Sequence, residues 1–208
     1  MSSLKHQTIS GIKWVFAASV AQRVIAFGTT IVLARVLTPA DFGLFALAFV
    51  MIDGFSLFKS LGFDSALVRR KEGDIAVACD TAFFLIPLTG ITLFIVLFFA
   101  APFGARALGS TQVTNIIRAL GLVFVISCFG KVPQMVLYRA MKFKAKTLAE
   151  FSGHAAYAVT ALLLALNGFG VWSLVAAYLL RNFIQISIEW IVSGWKPRWR
   201  FDKAIAWD

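Results

Sequence analysis

Six apolar runs follow one another along the chain, separated by short polar or basic connectors. Each run reaches the roughly 20 residues a helix needs to cross hydrocarbon, where an unpaired backbone group has no water to bond. The predicted spans are 14–34, 42–68, 81–103, 113–137, 147–166 and 171–192, so the expected fold is all-α and polytopic in a membrane. The connectors stop the helices for local reasons. Thr38-Pro39-Ala40-Asp41 offers an N-cap, a proline at the first helical position and an acid in the first turn, which predicts a tight hairpin between the first two spans. Asn167-Gly168 separates the fifth span from the sixth in the same way.

Composition agrees with this pattern. The chain is 60% hydrophobic and 14% charged, with 21 Phe, and is too apolar for a domain whose whole surface must be hydrated. The net charge of +10 does not point to nucleic acid, because the basic residues sit in short clusters between apolar runs and not on one solvated face. They segregate by loop. Lys5, Arg69, Arg70, Lys71, Arg139, Lys142, Lys144, Lys146, Lys196, Arg198, Arg200 and Lys203 lie on one side, while only Arg35 and Arg106 lie on the other. Twelve against two predicts that both termini are cytoplasmic. Lys5, His6 and Lys13 before an apolar stretch look like a secretory signal, but Arg23 interrupts the stretch and no small-residue cleavage site follows, so the first helix is expected to be retained. Cys79 and Cys128 have no ligand-spaced partners, which predicts neither a disulfide nor a metal site.

Ionisable groups at membrane depth cost about 2.5 to 3.5 kcal/mol each at a helix centre on insertion scales, so they mark interiors and watery paths. In the first span Gln22 and Thr29 are seven apart, as are Arg23 and Thr30, which predicts one polar stripe. Asp53, Ser56, Ser60 and Asp64 form a second stripe, with Lys59 beside it. In the sixth span Tyr178, Arg181, Gln185 and Glu189 form a third, read either as cavity lining or as an intrahelical network of i, i+4 neighbours. Arg23 is near the middle of its span, and either faces an internal cavity or pairs with Asp53. Arg118 and Lys131 lie near span ends, from which they could snorkel to the headgroups. The third span carries no charge and contains Pro87 and Gly90, as a lipid-facing or packing helix would. The two histidines, His6 and His154, show no metal spacing, and no nucleophile has a nearby base, so neither an enzyme nor a cofactor is expected.

Four strings carry a family resemblance: LARVLTPADFGLFALA at 33–48, SALVRRK at 65–71, LYRAMKFKAKTLAE at 137–150 and GFGVWSLV at 168–175. Together, in this order and spacing, they resemble bacterial polysaccharide exporters of the Wzx or PST type, within the multidrug, oligosaccharidyl-lipid and polysaccharide exporter superfamily. The resemblance implies two six-helix lobes facing each other across a cavity that opens alternately to each side of the membrane. Residues 1–195 correspond to the N-terminal lobe, and 196–208 to a basic cytoplasmic tail or the start of a link to a second lobe. The chain ends about where that link would run, which leaves a fragment, a truncated gene product or half of an assembly as readings. The implied activity is flipping of an oligosaccharide on a polyprenyl diphosphate from the inner to the outer leaflet of the bacterial inner membrane. The implied partners are that lipid-linked oligosaccharide, membrane lipids, and a second lobe or second copy of the chain.

A diphosphate suits desolvated cations, so the expected substrate-binding residues are Arg23, Gln22, Thr30, Asp53, Lys59 and Arg181. The basic run Arg139, Lys142, Lys144 and Lys146 either holds topology against anionic headgroups or receives the diphosphate at the cytoplasmic entrance. The related lipid II flippases carry an Arg-Asp pair where this chain has Thr29 and Thr30, so that pair is not carried over. Two other readings stay open: a cation-coupled exporter of small amphipathic molecules with Asp53 as its coupling acid, and a membrane scaffold that does not transport.

Overall fold

The computed structural model describes residues 2–60 and 75–195, with side chains at 15–57, 83 and 86–195. Among them are six helices and no strand: α1 (Ser2–Val36), α2 (Pro39–Ser60), α3 (Ile75–Ala107), α4 (Val113–Arg139), α5 (Phe143–Leu166) and α6 (Val171–Ser193). All six are long and apolar enough to cross a membrane. The protein is therefore a multi-pass membrane protein. Helix length and apolar length differ in α1 and α3. The apolar part of α1 is Val15–Val36, although the helix begins at Ser2. In α3 it is Ile86–Ala107, some residues later than the predicted 81–103. Intrahelical hydrogen bonds continue into the polar zone, so apolarity marks lipid depth and not where a helix starts. The end of the predicted second span, with Asp64 and the string at 65–71, lies outside the described residues.

Exposed positions are rich in large apolar side chains. On α1, Phe16, Val20, Val24, Phe27 and Ile31 recur at intervals of three and four and are all exposed, as expected of a helix whose solvent is lipid. Several hydroxyls are satisfied within their own helices. Ser19 donates to the Val15 carbonyl (2.8 Å), Thr92 to Leu88 (2.9 Å) and Ser187 to Phe183 (2.8 Å).

The helices group into two compact units. The first comprises Met1–Phe42 and Pro133–Ser193. In it α5 packs along α6, and α1 packs against α5. The contact is close because α5 presents small residues at near-regular spacing: Ala149, Gly153, Ala158, Ala161 and Ala165 are all buried. A Cβ on Gly153 would lie 3.1 Å from the Arg181 carbonyl oxygen and 3.2 Å from the Gln185 Cβ.

One carboxylate joins two turns of this unit. Asp41 Oδ2 accepts from the Thr38 amide (3.0 Å) and hydroxyl (2.6 Å), while the Asp41 amide donates back to Thr38 Oγ1 (3.2 Å). This is the predicted cap at the start of α2, formed as a reciprocal box. The other oxygen, Oδ1, accepts from the Val171 amide at 3.0 Å and so caps α6 as well. Gly170 makes room for it: its φ is +53°, and a Cβ there would meet Asp41 Oδ1 at 3.1 Å. The first and fifth loops thus meet at one end of the unit.

The second unit comprises Gly43–Val132 and Gly194–Asp208. Here too glycines set the helix contacts. Gly90 on α3 lies against the Cys128 side chain and the Phe124 carbonyl of α4, Gly121 on α4 against Leu97 and Phe94, and Gly104 against Met51 of α2. Leu97, Ile117 and Leu120 are fully buried. Trp195 meets the Phe83 ring at 5.6 Å beside Val132, and Phe83 meets Phe129 at 6.3 Å. Arg118 points back to α3, its Nε donating to the Phe98 carbonyl (3.3 Å) and its guanidinium 4.3 Å from the centre of that ring, instead of snorkelling alone.

Replacing Asp41 by Ala removes the acceptor for two helix starts. Asp41→Ala is expected to destabilise the purified protein by at least ~1 kcal/mol, the scale of one lost N-cap, seen as a lower thermal unfolding midpoint in detergent. Asp41→Asn, which keeps an oxygen for Val171, should lose less.

Candidate functional site

The polar groups of the first unit converge where α5 meets α6. On α5, Lys146, Glu150 and His154 are spaced by four, as are Arg181, Gln185 and Glu189 on α6, so each set forms one stripe. The hairpin at Asn167-Gly168 makes the helices antiparallel, and Gly153 lets the stripes touch. At the end away from that hairpin, Lys146 Nζ pairs with Glu150 Oε1 at 2.7 Å and lies 4.6 Å from the centre of the Tyr138 ring. Deeper in, Gln185 Nε2 donates to Glu189 Oε1 at 3.0 Å. Glu189 is only 1% exposed and feels the charges of Lys146 and Glu150. Arg181 Nη2 then meets His154 Nε2 at 3.0 Å, with Tyr157 near enough to feel the arginine charge. At 1.5 Å per residue, Arg181 lies about 15 Å from the start of α6, near the middle of the span.

A guanidinium has only donors, so His154 Nε2 must accept. Such a hydrogen bond requires the neutral imidazole with its proton on Nδ1. The acids of the site are engaged elsewhere, Glu150 by Lys146 and Glu189 by Gln185. The Arg181 charge is therefore met by an imidazole and not by a carboxylate.

The structure distributes the sequence-predicted residues unequally. Gln22, Arg23, Thr30 and Arg181 belong to the first unit, Asp53 and Lys59 to the second. The predicted stripe on α1 is split in two. Gln22 and Thr29 turn inward: Thr29 is buried and donates to the Ile25 carbonyl (2.7 Å), and Gln22 Nε2 is buried with no hydrogen-bond partner among the described residues. Arg23 and Thr30, one residue further on and so about 100° around the helix, are exposed at the margin of the apolar stripe, with Thr30 donating to the Ala26 carbonyl (2.9 Å). Asp53 is exposed, and its own turn supplies its neighbour, Ser56 Oγ, which donates to the Asp53 carbonyl at 2.6 Å. The side chain of Lys59 lies outside the described residues.

Of the residues expected to bind substrate, Arg181 is the one set in a polar cluster with partners from a second helix. Its partner His154 has no metal spacing and Lys146 precedes the predicted span 147–166, so neither is expected at the site, although the spacing of Lys146, Glu150 and His154 marks one face of α5. Among the described residues no group of three or more His, Cys, Asp or Glu could hold a metal ion.

Residues 32–207 match the model of a family described as polysaccharide biosynthesis protein. The chain is similar to the succinoglycan biosynthesis transport protein ExoT of Rhizobium meliloti (strain 1021), 28% identical over 177 residues that cover 85% of this chain and 36% of that protein. It is 24% identical to the lipopolysaccharide biosynthesis protein WzxC of Escherichia coli (strain K12), covering 96% of this chain and 43% of the relative. It is 23% identical to the teichuronic acid biosynthesis protein TuaB of Bacillus subtilis (strain 168), covering 97% and 42%. The chain thus spans about two fifths of the length of these relatives. No solved structure matches it.

Gly153→Val would drive two methyl groups into the Arg181 backbone. It is expected to cost about 1 to 3 kcal/mol, the range for overpacking, and to lower the unfolding midpoint well beyond Gly153→Ala.

Proposed function

The chain belongs to the polysaccharide biosynthesis protein family, and from that premise we propose that it forms the N-terminal lobe of a flippase for oligosaccharides carried on a polyprenyl diphosphate. The observation that carries this reading is the Arg181 charge, set about mid-span and paired with a neutral imidazole. A cation at that depth is costly unless it faces a partner or a watery cavity, and an anion is a stronger partner than an imidazole. A diphosphate supplies what the site lacks: doubly accepting oxygens that match a guanidinium fork. The relatives named as transport and biosynthesis proteins for succinoglycan, lipopolysaccharide and teichuronic acid support a glycan cargo.

In this reading the lobe works against a second six-helix lobe or a second copy, in the cytoplasmic membrane of a bacterium, with both termini in the cytoplasm. Arg23 and Thr30, exposed on α1, and Asp53 and Lys59, on α2, contact the cargo along its path, while Gln22 offers an unused amide from the inner face of the same helix. The engagement of the first and fifth loops by Asp41 supports placing both on one side, as the charge count requires.

Deleting the coding gene in its host is expected to abolish surface polysaccharide and leave lipid-linked precursor on the inner leaflet. Restoration by Arg181→Ala or Arg23→Ala should fall about tenfold, the order of one lost charge-assisted contact. Wild-type restoration by Arg23→Ala would remove that residue from the path. Normal polysaccharide on deletion, with new sensitivity to cationic dyes, would replace the flippase by a drug exporter.

Topology is checked separately. In a chain without Cys79 and Cys128, Asn167→Cys should react with an impermeant maleimide from outside intact cells, and Lys142→Cys only after lysis.

A further inference from the structure

We infer that His154 is a proton-binding site that controls whether the Arg181 guanidinium is available to an anion. The inference deepens the proposed function and rests on it for the identity of the anion, but not for the switch itself. Arg181 Nη2 lies 3.0 Å from His154 Nε2. Because arginine cannot accept a hydrogen bond or lose its proton in this range, the contact exists only while Nε2 carries a lone pair. When a proton from water adds to Nε2, the imidazole becomes a cation with a donor facing a donor. The hydrogen bond turns into like-charge repulsion, and the guanidinium must leave. Loss of that proton restores the lone pair and the contact.

Two charges act on His154. Arg181 faces it from α6, and Glu150 lies one turn away on α5, paired with Lys146 at 2.7 Å. Arg23 and Arg35, the described cations of α1, which packs on α5, are exposed, and neither is among the charges acting on His154. Tyr157 is a neutral phenol nearby that feels Arg181. Glu150 and Glu189 each already spend one oxygen, on Lys146 and Gln185. An oxyanion entering the half-buried site offers the released guanidinium a bidentate acceptor. Anion and proton then bind together, each raising the affinity for the other by the same factor.

The test uses the full chain in nanodiscs of neutral phosphatidylcholine, with sulfate as probe because its charge is constant between pH 5.5 and 8. Wild-type protein is expected to bind sulfate about tenfold more tightly at pH 5.5 than at pH 8, within the usual range of site coupling. His154→Gln, which keeps an acceptor but cannot gain charge, should bind sulfate with the same affinity at both pH values. Arg181→Gln should bind none. Only two histidines exist in the chain, so in a His6→Ala background one imidazole remains. Its nitrogen-15 spectrum should show a bare Nε2 at pH 8 and both nitrogens protonated when sulfate is bound at pH 5.5.

A proton on Nε2 at pH 8, or wild-type pH dependence in His154→Gln, would overturn the switch. The spectrum needs neither substitution at the pair, so a misfolded variant leaves the test intact. Polysaccharide export that fails alongside intact pH-linked sulfate binding strikes the flippase reading alone. Intact export with pH-blind binding strikes the switch alone.

Discussion

Hydrocarbon offers no hydrogen bonds, and every polar group that enters it must be answered by the protein. That constraint accounts for most of what the chain does locally. Serine and threonine hydroxyls turn back onto carbonyls three or four residues earlier, Arg118 rests on the carbonyl and ring of Phe98, and the amides that open α2 and α6 share the Asp41 carboxylate. Against this background two groups stand out. Gln22 Nε2 is buried without a partner among the described residues, and Arg181 is answered by an imidazole. Both lie in the unit where α1, α5 and α6 pack together.

The α5–α6 contact shows how packing serves electrostatics. Coulomb interactions strengthen as the dielectric falls, but the groups must first be brought within a few ångströms. A helix pair separated by ordinary side chains keeps its polar tips apart, whereas Gly153 lets backbone approach backbone beside Arg181 and Gln185. The same absence of a side chain that allows close packing thus assembles a ladder of charge from Lys146 to Arg181. Its two acids are neutralised or hydrogen-bonded near one end, and its deepest cation keeps the least committed partner.

The helices and their order were legible from apolar length, because lipid imposes a single strong pattern. The cap at Thr38 to Asp41 was legible too, since its chemistry is local. What escaped was the second role of Asp41, because no local signal tells that Val171, 130 residues away, will use its other oxygen. The α1 stripe was half legible. Heptad spacing aligns Gln22 with Thr29 and Arg23 with Thr30, but the 100° between the two columns decides that one faces inward and the other outward. For α6 the sequence left two readings, and the structure forms the i, i+4 bond between Gln185 and Glu189 while directing Arg181 across to α5. No local pattern marks His154, because its spacing suits no metal and its partner is a cation on another helix.

The carboxylate of Asp41 also gives this unit a pivot point. It ties the turn before α2 to the first residue of α6 at a single point, a corner from which α6 runs its whole length free of that tether. Over the roughly 34 Å length of α6, a tilt of about 10° displaces the far tip by roughly 6 Å. For any tilt about that corner, the lever arm is longest at the end holding Lys146, Glu150 and Glu189.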